Sequence, residues 1–373
     1  MFQGLTRDKA LAICQITKNQ FYYKPSGKKR GRKKSKYTNQ LSEGKLVQRR
    51  NKYVKDYIKK ILKHPKVDYG YHRMTGALQL AGFYINHKKV YRLMKEERLL
   101  QVKKNREGKN YVKYRIVCPE QPLRLMEMDI KQVWIAGGRR YAYILTILDV
   151  FTRATLYWTV GYQMKQDQVQ RAWQQVIEKL LEPMGALAWK VDIEVRSDNG
   201  PQFCAKKLQA FLQENYLKQT FTHPHTPQEN GHVESFHAIL GRDLQGQYFD
   251  TLADLDKALE AFYYFYNFDR IHGSLLNLPP VTFWHQWQLG NIHREVIDEK
   301  RRKVKFQLKV QRQLIHKART AGYESQREVL SLDFEGSIPD KSKLNETLAC
   351  PIEEDSDEKV PSDGAVLKAR PAV

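Results

Sequence analysis

The stretch Leu125-Met126-Glu127-Met128-Asp129-Ile130 decides how this chain is read. Its side chains alternate at period two, as in a strand with one face turned inward. An aspartate set into such an alternation is costly unless it has a partner. Downstream, Gly137-Gly138 turns the chain, and residues 141–148 and 154–160 are further apolar, β-rich runs, so three consecutive strands are expected. Residues 166–181 place Val169, Trp173, Val176, Ile177, Leu180 and Leu181 at helical spacing. A fourth strand over 189–195, a helix over 204–216, a short fifth strand over 219–222 and a long helix from about Asn230 complete the pattern. The order β-β-β-α-β-α-β-α implies a mixed α/β fold.

Acids fall where these elements end. Asp129 lies inside the first strand. Asp198 closes the fourth in Arg196-Ser197-Asp198-Asn199-Gly200-Pro201-Gln202-Phe203, and Glu234 lies on the long helix in Asn230-Gly231-His232-Val233-Glu234-Ser235-Phe236-His237, with 35 residues between the last two acids. Carboxylates from two strands and a helix that meet at one point form a hard oxygen site for Mg²⁺ or Mn²⁺. Two such ions about 3.5–4 Å apart clamp a phosphodiester for phosphoryl transfer. Taken singly, each acid also has an ordinary reading: Asp129 as a strand-end cap, Asp198 as a turn former, Glu234 as an exposed helix residue.

Charge is distributed unevenly. The 373 residues carry a formal net charge of +23, and residues 1–118 hold 32 Lys+Arg against 7 Asp+Glu. The excess is therefore confined to the first third, which reads as a polyanion-binding arm, with a solubilising or RNA-associated tail as the alternative. Residues 5–24 read as two short helices capped by Thr6 and Thr17, a small helix-turn-helix spanning 1–24. Residues 25–45 read as a basic linker containing Lys33 and Lys34. Within 46–118, a helix from about Arg73 to Leu80 and a second one capped by Asn86 form a helix-turn-helix. His87, Lys88, Lys89 and Arg92 on the second helix are the expected DNA contacts; a packing unit with a solvated basic face is the alternative. Residues 291–330 read as a basic extension and 331–373, with Glu353-Glu354-Asp355-Ser356-Asp357-Glu358, as an acidic disordered tail.

Other classes are disfavoured. No apolar run approaches the roughly 20 residues a bilayer needs, and the charged amino terminus does not read as a signal peptide. A cytoplasmic, nucleoid-associated protein with no membrane partner is expected. Cys14, Cys118, Cys204 and Cys350 form no Cys-x-x-Cys pair, which disfavours a zinc ribbon.

Asp129-Ile130, Ser197 to Phe203 and Asn230 to Phe236 together resemble the three acidic motifs of bacterial insertion-sequence DDE transposases with a retroviral-integrase-like core, and the 35-residue gap matches that family. Residues 69–100 are similar to the helix-turn-helix of the downstream-frame proteins of such elements. Tyr266-Asn267, Arg270, His272 and Pro279-Pro280 resemble the segment that closes their core, with Ile271 standing where proline is frequent. The resemblance covers about residues 40–290. It implies a ribonuclease-H-like five-stranded sheet over 119–290, with Asp129, Asp198 and Glu234 holding two Mg²⁺ ions (or Mn²⁺). It implies binding of terminal inverted repeats, metal-dependent strand cleavage and strand transfer into target DNA, and a homo-oligomer on DNA. A partner from an upstream frame of the same element is a further expectation. The competing reading is a non-catalytic DNA-binding protein derived from a transposase. Glu127 is a spare ligand in this scheme, Asp149 a turn residue paired with Arg153, and residues 228–231 a mobile active-site loop. Phe262-Tyr263-Tyr264-Phe265-Tyr266 is expected to pack the core.

Overall fold

The computed structural model describes residues 4–24, 34–101, 118–187, 193–223, 227–298 and 303–315. Lys33, His225, residues 189–192 of the expected fourth strand, and residues 316–373 with the acidic tail lie outside them.

Two short helices come first, α1 (Arg7–Ile13) and α2 (Lys18–Phe21). The Thr17 hydroxyl caps α2 by accepting from the Gln20 N–H at 3.2 Å, whereas Thr6 makes no side-chain cap. A hairpin of β1 (Tyr37–Ser42) and β2 (Lys45–Arg50) follows, then α3 (Asn51–Lys63), α4 (Tyr71–Leu80) and α5 (His87–Glu96). Part of the stretch read as linker is thus a strand. Its inward residues are Thr38 and Gln40, so the period-two pattern is polar and leaves no apolar signal. The hairpin leans on the turn between α4 and α5, where the Leu41 N–H donates to the Gly82 carbonyl at 2.9 Å. Gly82 has φ +87°, and a Cβ there would lie 2.3 Å from the Leu41 carbonyl oxygen, so both backbone conformation and space require glycine. Val54, Ile58, Met74, Leu78, Val90 and Leu93 form the core of this module.

The central sheet follows: β3 (Leu125–Ile135), β4 (Arg140–Asp149), β5 (Thr155–Gly161), α6 (Gln166–Val176) running on into a π-helical turn, β6 (Ile193–Ser197), α7 (Pro201–Cys204), α8 (Lys206–Glu214), β7 (Leu217–Phe221), α9 (Gly231–Leu244) and α10 (Leu252–Tyr264). Its strand order is β5-β4-β3-β6-β7, with β3, β4 and β5 antiparallel and β6 and β7 parallel to β3. This is the ribonuclease-H-like mixed sheet anticipated from the sequence. Ile144, Leu148 and Trp158 from the sheet pack with Phe236 and Leu240 of α9 and with Phe262, Tyr263 and Tyr266, the aromatic cluster expected in the core. A last helix, α11 (Pro280–Gln288), precedes a second hairpin of β8 (Ile292–Asp298) and β9 (Lys303–Leu308). No described helix is long and apolar enough to cross a membrane.

The helical module is fastened to the end of the core. The Tyr69 hydroxyl accepts from the Ile271 N–H at 2.8 Å and donates to the Asp269 carbonyl at 3.3 Å. Ile271 itself is buried in the module's core. The residue that departs from the resembling pattern therefore supplies an N–H that proline lacks. Lys66 and Asp243 form a largely buried ion pair at 2.6 Å close by. Tyr69→Phe leaves the buried Ile271 N–H without its acceptor and is expected to lower stability by about 1–3 kcal/mol, read by urea or thermal unfolding of the full chain.

Candidate active site

The site is built by β3 and α9 lying against one another in register. On the strand, Glu127, Asp129 and Lys131 share a face because alternate residues do. On the helix, positions three and four apart share a face. The Glu127 carboxylate accepts from the first-turn N–H groups of His232 and Val233 at 3.0 and 2.8 Å. One turn further along, His237 Nδ1 lies 3.1 Å from Asp129 Oδ2. A further turn on, a Cβ placed at Gly241 would lie 3.4 Å from Lys131 Nζ.

Glu127 is fully buried, and burial pushes its carboxyl up to about 7 against the pull of the two helix N–H groups and of Arg153 and Arg196. Bound to the start of α9, it clamps the helix instead of standing as a spare ligand. Arg196, 2% exposed, donates to the Glu229 carbonyl at 3.2 Å and pairs with Glu194 at 2.8 Å. Glu229 and Asn230 are buried in a 3₁₀ turn (Pro227–Asn230), so the expected mobile loop is pinned from Pro227 onward. The sequence looks like a free loop there because its anchor, Arg196, is remote along the chain.

Asp129 is the hub of the three acids. Its Oδ1 accepts from the Ile130 N–H at 2.8 Å and its Oδ2 faces His237. Behind His237, Nε2 lies 3.4 Å from the Thr146 hydroxyl, which meets the Tyr263 hydroxyl at 2.5 Å. With protons placed Tyr263 to Thr146 to His237 Nε2, and from Nδ1 to Asp129, every donor in this chain has an acceptor. Asp198, in the loop after β6, accepts from the Gly200 N–H at 3.0 Å and is exposed, as is Glu234 in the first turn of α9. Both carboxyls are raised above the ordinary carboxylate range, first by partial burial and then by the Asp129 charge. Asp129 thus reaches both of the other acids electrostatically. Among the described residues, no three His, Cys, Asp or Glu side chains stand close enough to hold a metal ion as a finished cage. The three acids supply a hard, all-oxygen donor set that repels itself, which suits a divalent cation in kind.

The other expected residues fall into two groups. His87 and Lys88 are exposed at the start of α5. Lys89 donates to the Tyr37 carbonyl and Arg92 to the Ser35 carbonyl, so both hold the strand hairpin and its approach. Lys34 is exposed. Asp149 is buried and accepts from the Leu123 N–H, the Thr152 N–H and the Thr152 hydroxyl at 2.9, 2.7 and 2.6 Å. Arg153 acts on it through charge, without an ion pair in contact. His223 Nδ1 lies 2.9 Å from Glu229, ahead of α9. Sequence reading missed His237 and the clamping role of Glu127. His237 stands three residues after Glu234, and that spacing was the available signal.

The three carboxylates thus stand at the middle of one strand, after the end of its parallel neighbour and at the start of a helix crossing that sheet. The chain matches the Integrase core domain family over residues 119–227 and again over 215–280, and the HTH-like domain family over 48–107. An uncharacterized 39.2 kDa protein of insertion element IS476 from Xanthomonas euvesicatoria is 29% identical over 218 residues, 58% of this chain and 60% of that protein. The putative transposase InsK of IS150 from Escherichia coli K12 is 24% identical over 299 residues, 76% of this chain and 95% of that one. A chain of the simian T-cell lymphotropic virus intasome, solved in complex with the PP2A regulatory subunit B56 gamma, aligns over 61% of this chain and 74% of its own at 14% identity, with a TM-score of 0.37. The chain thus carries an Integrase core domain preceded by an HTH-like domain, and it is similar to proteins of bacterial insertion sequences.

Removing the clamp is the direct test of this architecture. Glu127→Ala leaves two helix N–H groups without an acceptor and takes from Arg153 one of its two opposing carboxylate charges, and is expected to cost about 2–4 kcal/mol. Glu127→Gln keeps an oxygen for the N–H groups and is expected to cost less. Thermal unfolding, with amide exchange at His232 and Val233, measures both.

Proposed function

We propose that this protein cuts and joins DNA strands at the ends of an insertion sequence, with Asp129, Asp198 and Glu234 as the catalytic, metal-holding residues. The observation that carries the reading is the convergence of charge on Asp129, whose carboxylate opposes ionisation of both Asp198 and Glu234 although all three lie far apart in sequence. In a protein that only bound DNA, three acids facing a polyanion would weaken that binding. This argues against the non-catalytic alternative.

Each side chain has its own task. Asp129, held by His237, presents its carboxylate in a fixed orientation between the other two acids. Asp198 and Glu234 enter from either side, one on a loop after a strand end and the other on the first helical turn. Two Mg²⁺ ions, or Mn²⁺ in their place, would supply Lewis-acid stabilisation of the attacking and departing oxygens when bound by these three carboxylates. The helical region 46–118 recognises the terminal inverted repeats. His87, Lys88 and Lys34 are free to meet phosphates, and the basic first third supplies the long-range attraction. A homo-oligomer bridges two element ends, and an upstream-frame protein joins where the element encodes one.

Asp198→Asn is expected to cut strand cleavage and joining on labelled end DNA with Mg²⁺ by about 10³-fold or more while leaving DNA binding in place. Activity equal to that of the unaltered protein removes the enzymatic reading. Nicked products without joined ones reduce it to a nuclease.

Metal binding should also follow pH with a definite sign. An acid raised above its ordinary value keeps its proton to higher pH, and a metal must displace that proton. Mg²⁺ or Mn²⁺ affinity, titrated by calorimetry, is therefore expected to climb with pH through the region just above the ordinary carboxylate range and then level off. Asp129→Asn removes one source of the opposition, so Asp198 and Glu234 in that variant should lose their protons at lower pH, visible by NMR of the carboxyl carbons.

A further inference from the structure

Lys131 is the one member of the strand face Glu127, Asp129, Lys131 that the reading above leaves without a task. Its side chain is half-buried against α9, and it forms no ion pair with any described carboxylate. A Cβ at Gly241 would stand 3.4 Å from its Nζ and 3.6 Å from its Cε. The lysine end thus lies along the helix beside Gly241, at what would be ordinary contact distance for a Cβ there. A glycine inside a helix is about 1 kcal/mol worse than alanine, so the sequence gives up helix propensity where this ammonium group sits. The helix ladder fixes the direction of the group. Glu127 meets the first turn, Asp129 meets His237 one turn later, and Lys131 meets position 241 after another turn. Lys131 is therefore next in line to Asp129 on the face that carries the acids, a cation bordering a carboxylate cluster.

We propose that Lys131, seated beside Gly241, binds a backbone phosphate of the DNA strand lying across the acids, adjacent to the phosphate under attack. The inference rests on reading this face as the DNA-processing site. An unpaired ammonium two residues along the strand from Asp129 resolves a conflict in that site, since the acids repel the strand on which they act. Lysine serves as a point charge for phosphate, and its long stem along the helix leaves only the head to meet the strand.

The test uses the full chain, in EDTA, with duplex element-end DNA carrying a single uncharged methylphosphonate at each position around the cut in turn. Lys131→Ala is expected to weaken binding of all-phosphate DNA about tenfold and to lower the slope of log affinity against log salt by about 0.9, the value for one phosphate. On DNA neutralised at one particular phosphate beside the cut, the variant and the unaltered protein should bind alike. Lys131→Arg should keep most of the affinity. The double variant Lys131→Ala with Gly241→Lys, which delivers an ammonium from the helix instead of the strand, should restore it. An equal loss on every probe, or no loss, overturns the proposal. Lys131→Gln, which keeps the stem, replaces alanine if Lys131→Ala melts early, and it must then show the same single-phosphate coupling. Because binding is read without metal, Lys131 is judged even if no strand is cut. Cleavage with Mg²⁺ judges the acid triad even if Lys131 proves inert.

Discussion

The placement of every functional group depends on one buried contact, the Glu127 carboxylate against the start of α9. A carboxylate shut away from water is unfavourable unless hydrogen bonds and charge replace its hydration. Here two helix N–H groups, the positive end of the helix and the nearby Arg153 and Arg196 provide that replacement. The contact fixes both the position of the helix along the strand and its rotation about its own axis. With rotation fixed, Glu234 is one residue beyond the clamped N–H groups, and His237 and Gly241 follow on the side that meets β3.

This rigidity has an electrostatic purpose. The Asp129 charge opposes ionisation of Asp198 and of Glu234, and a loose scaffold would let these acids swing apart into water. Asp129 is restrained by His237 and by the Ile130 N–H, and His237 is restrained by Thr146 and Tyr263 deep in the core. Among the described residues, Asp198 is restrained by the Gly200 N–H, and the Glu234 side chain makes no hydrogen bond. The hub is held firmly and the flanking acids more lightly. That distribution suits a donor set which draws together when a cation cancels its repulsion.

The fold was legible because hydrophobic period announces it. The alternation over 125–130, the apolar runs at 141–148 and 154–160 and the helical spacing over 166–181 each report burial on one side, and burial is what the sheet and its helices share. The elements that carry the three acids were legible from the same patterns: Asp129 within a strand, Asp198 after a strand end and Glu234 on a helix. Partners that act across the chain were not legible. Glu127 looks like a ligand because it stands beside Asp129, yet only the docked helix reveals that it bonds to His232 and Val233. The loop at 228–231 looks free because Arg196 lies remote in sequence. The hairpin at 37–50 was hidden for a different reason, since Thr38 and Gln40 face inward and the pattern that betrays a strand is apolar. Lys89 and Arg92 looked like open DNA contacts for the same reason: their acceptors are carbonyls of a segment whose structure the pattern did not reveal.

The fastening of the helical module to the core adds a final step. Lys66 pairs with Asp243 and Asp68 lies 3.4 Å from Arg242, both partners standing in the last turn of the helix whose first turn carries Glu234. Tyr69, next along, holds Ile271 and Asp269. A force that moves this module therefore acts directly on the far end of α9, and the Glu127 clamp resists it at the near end. A helix pinned at both ends transmits displacement as a rigid lever. The module and the acid on the first turn are thus joined through one helix of 14 residues.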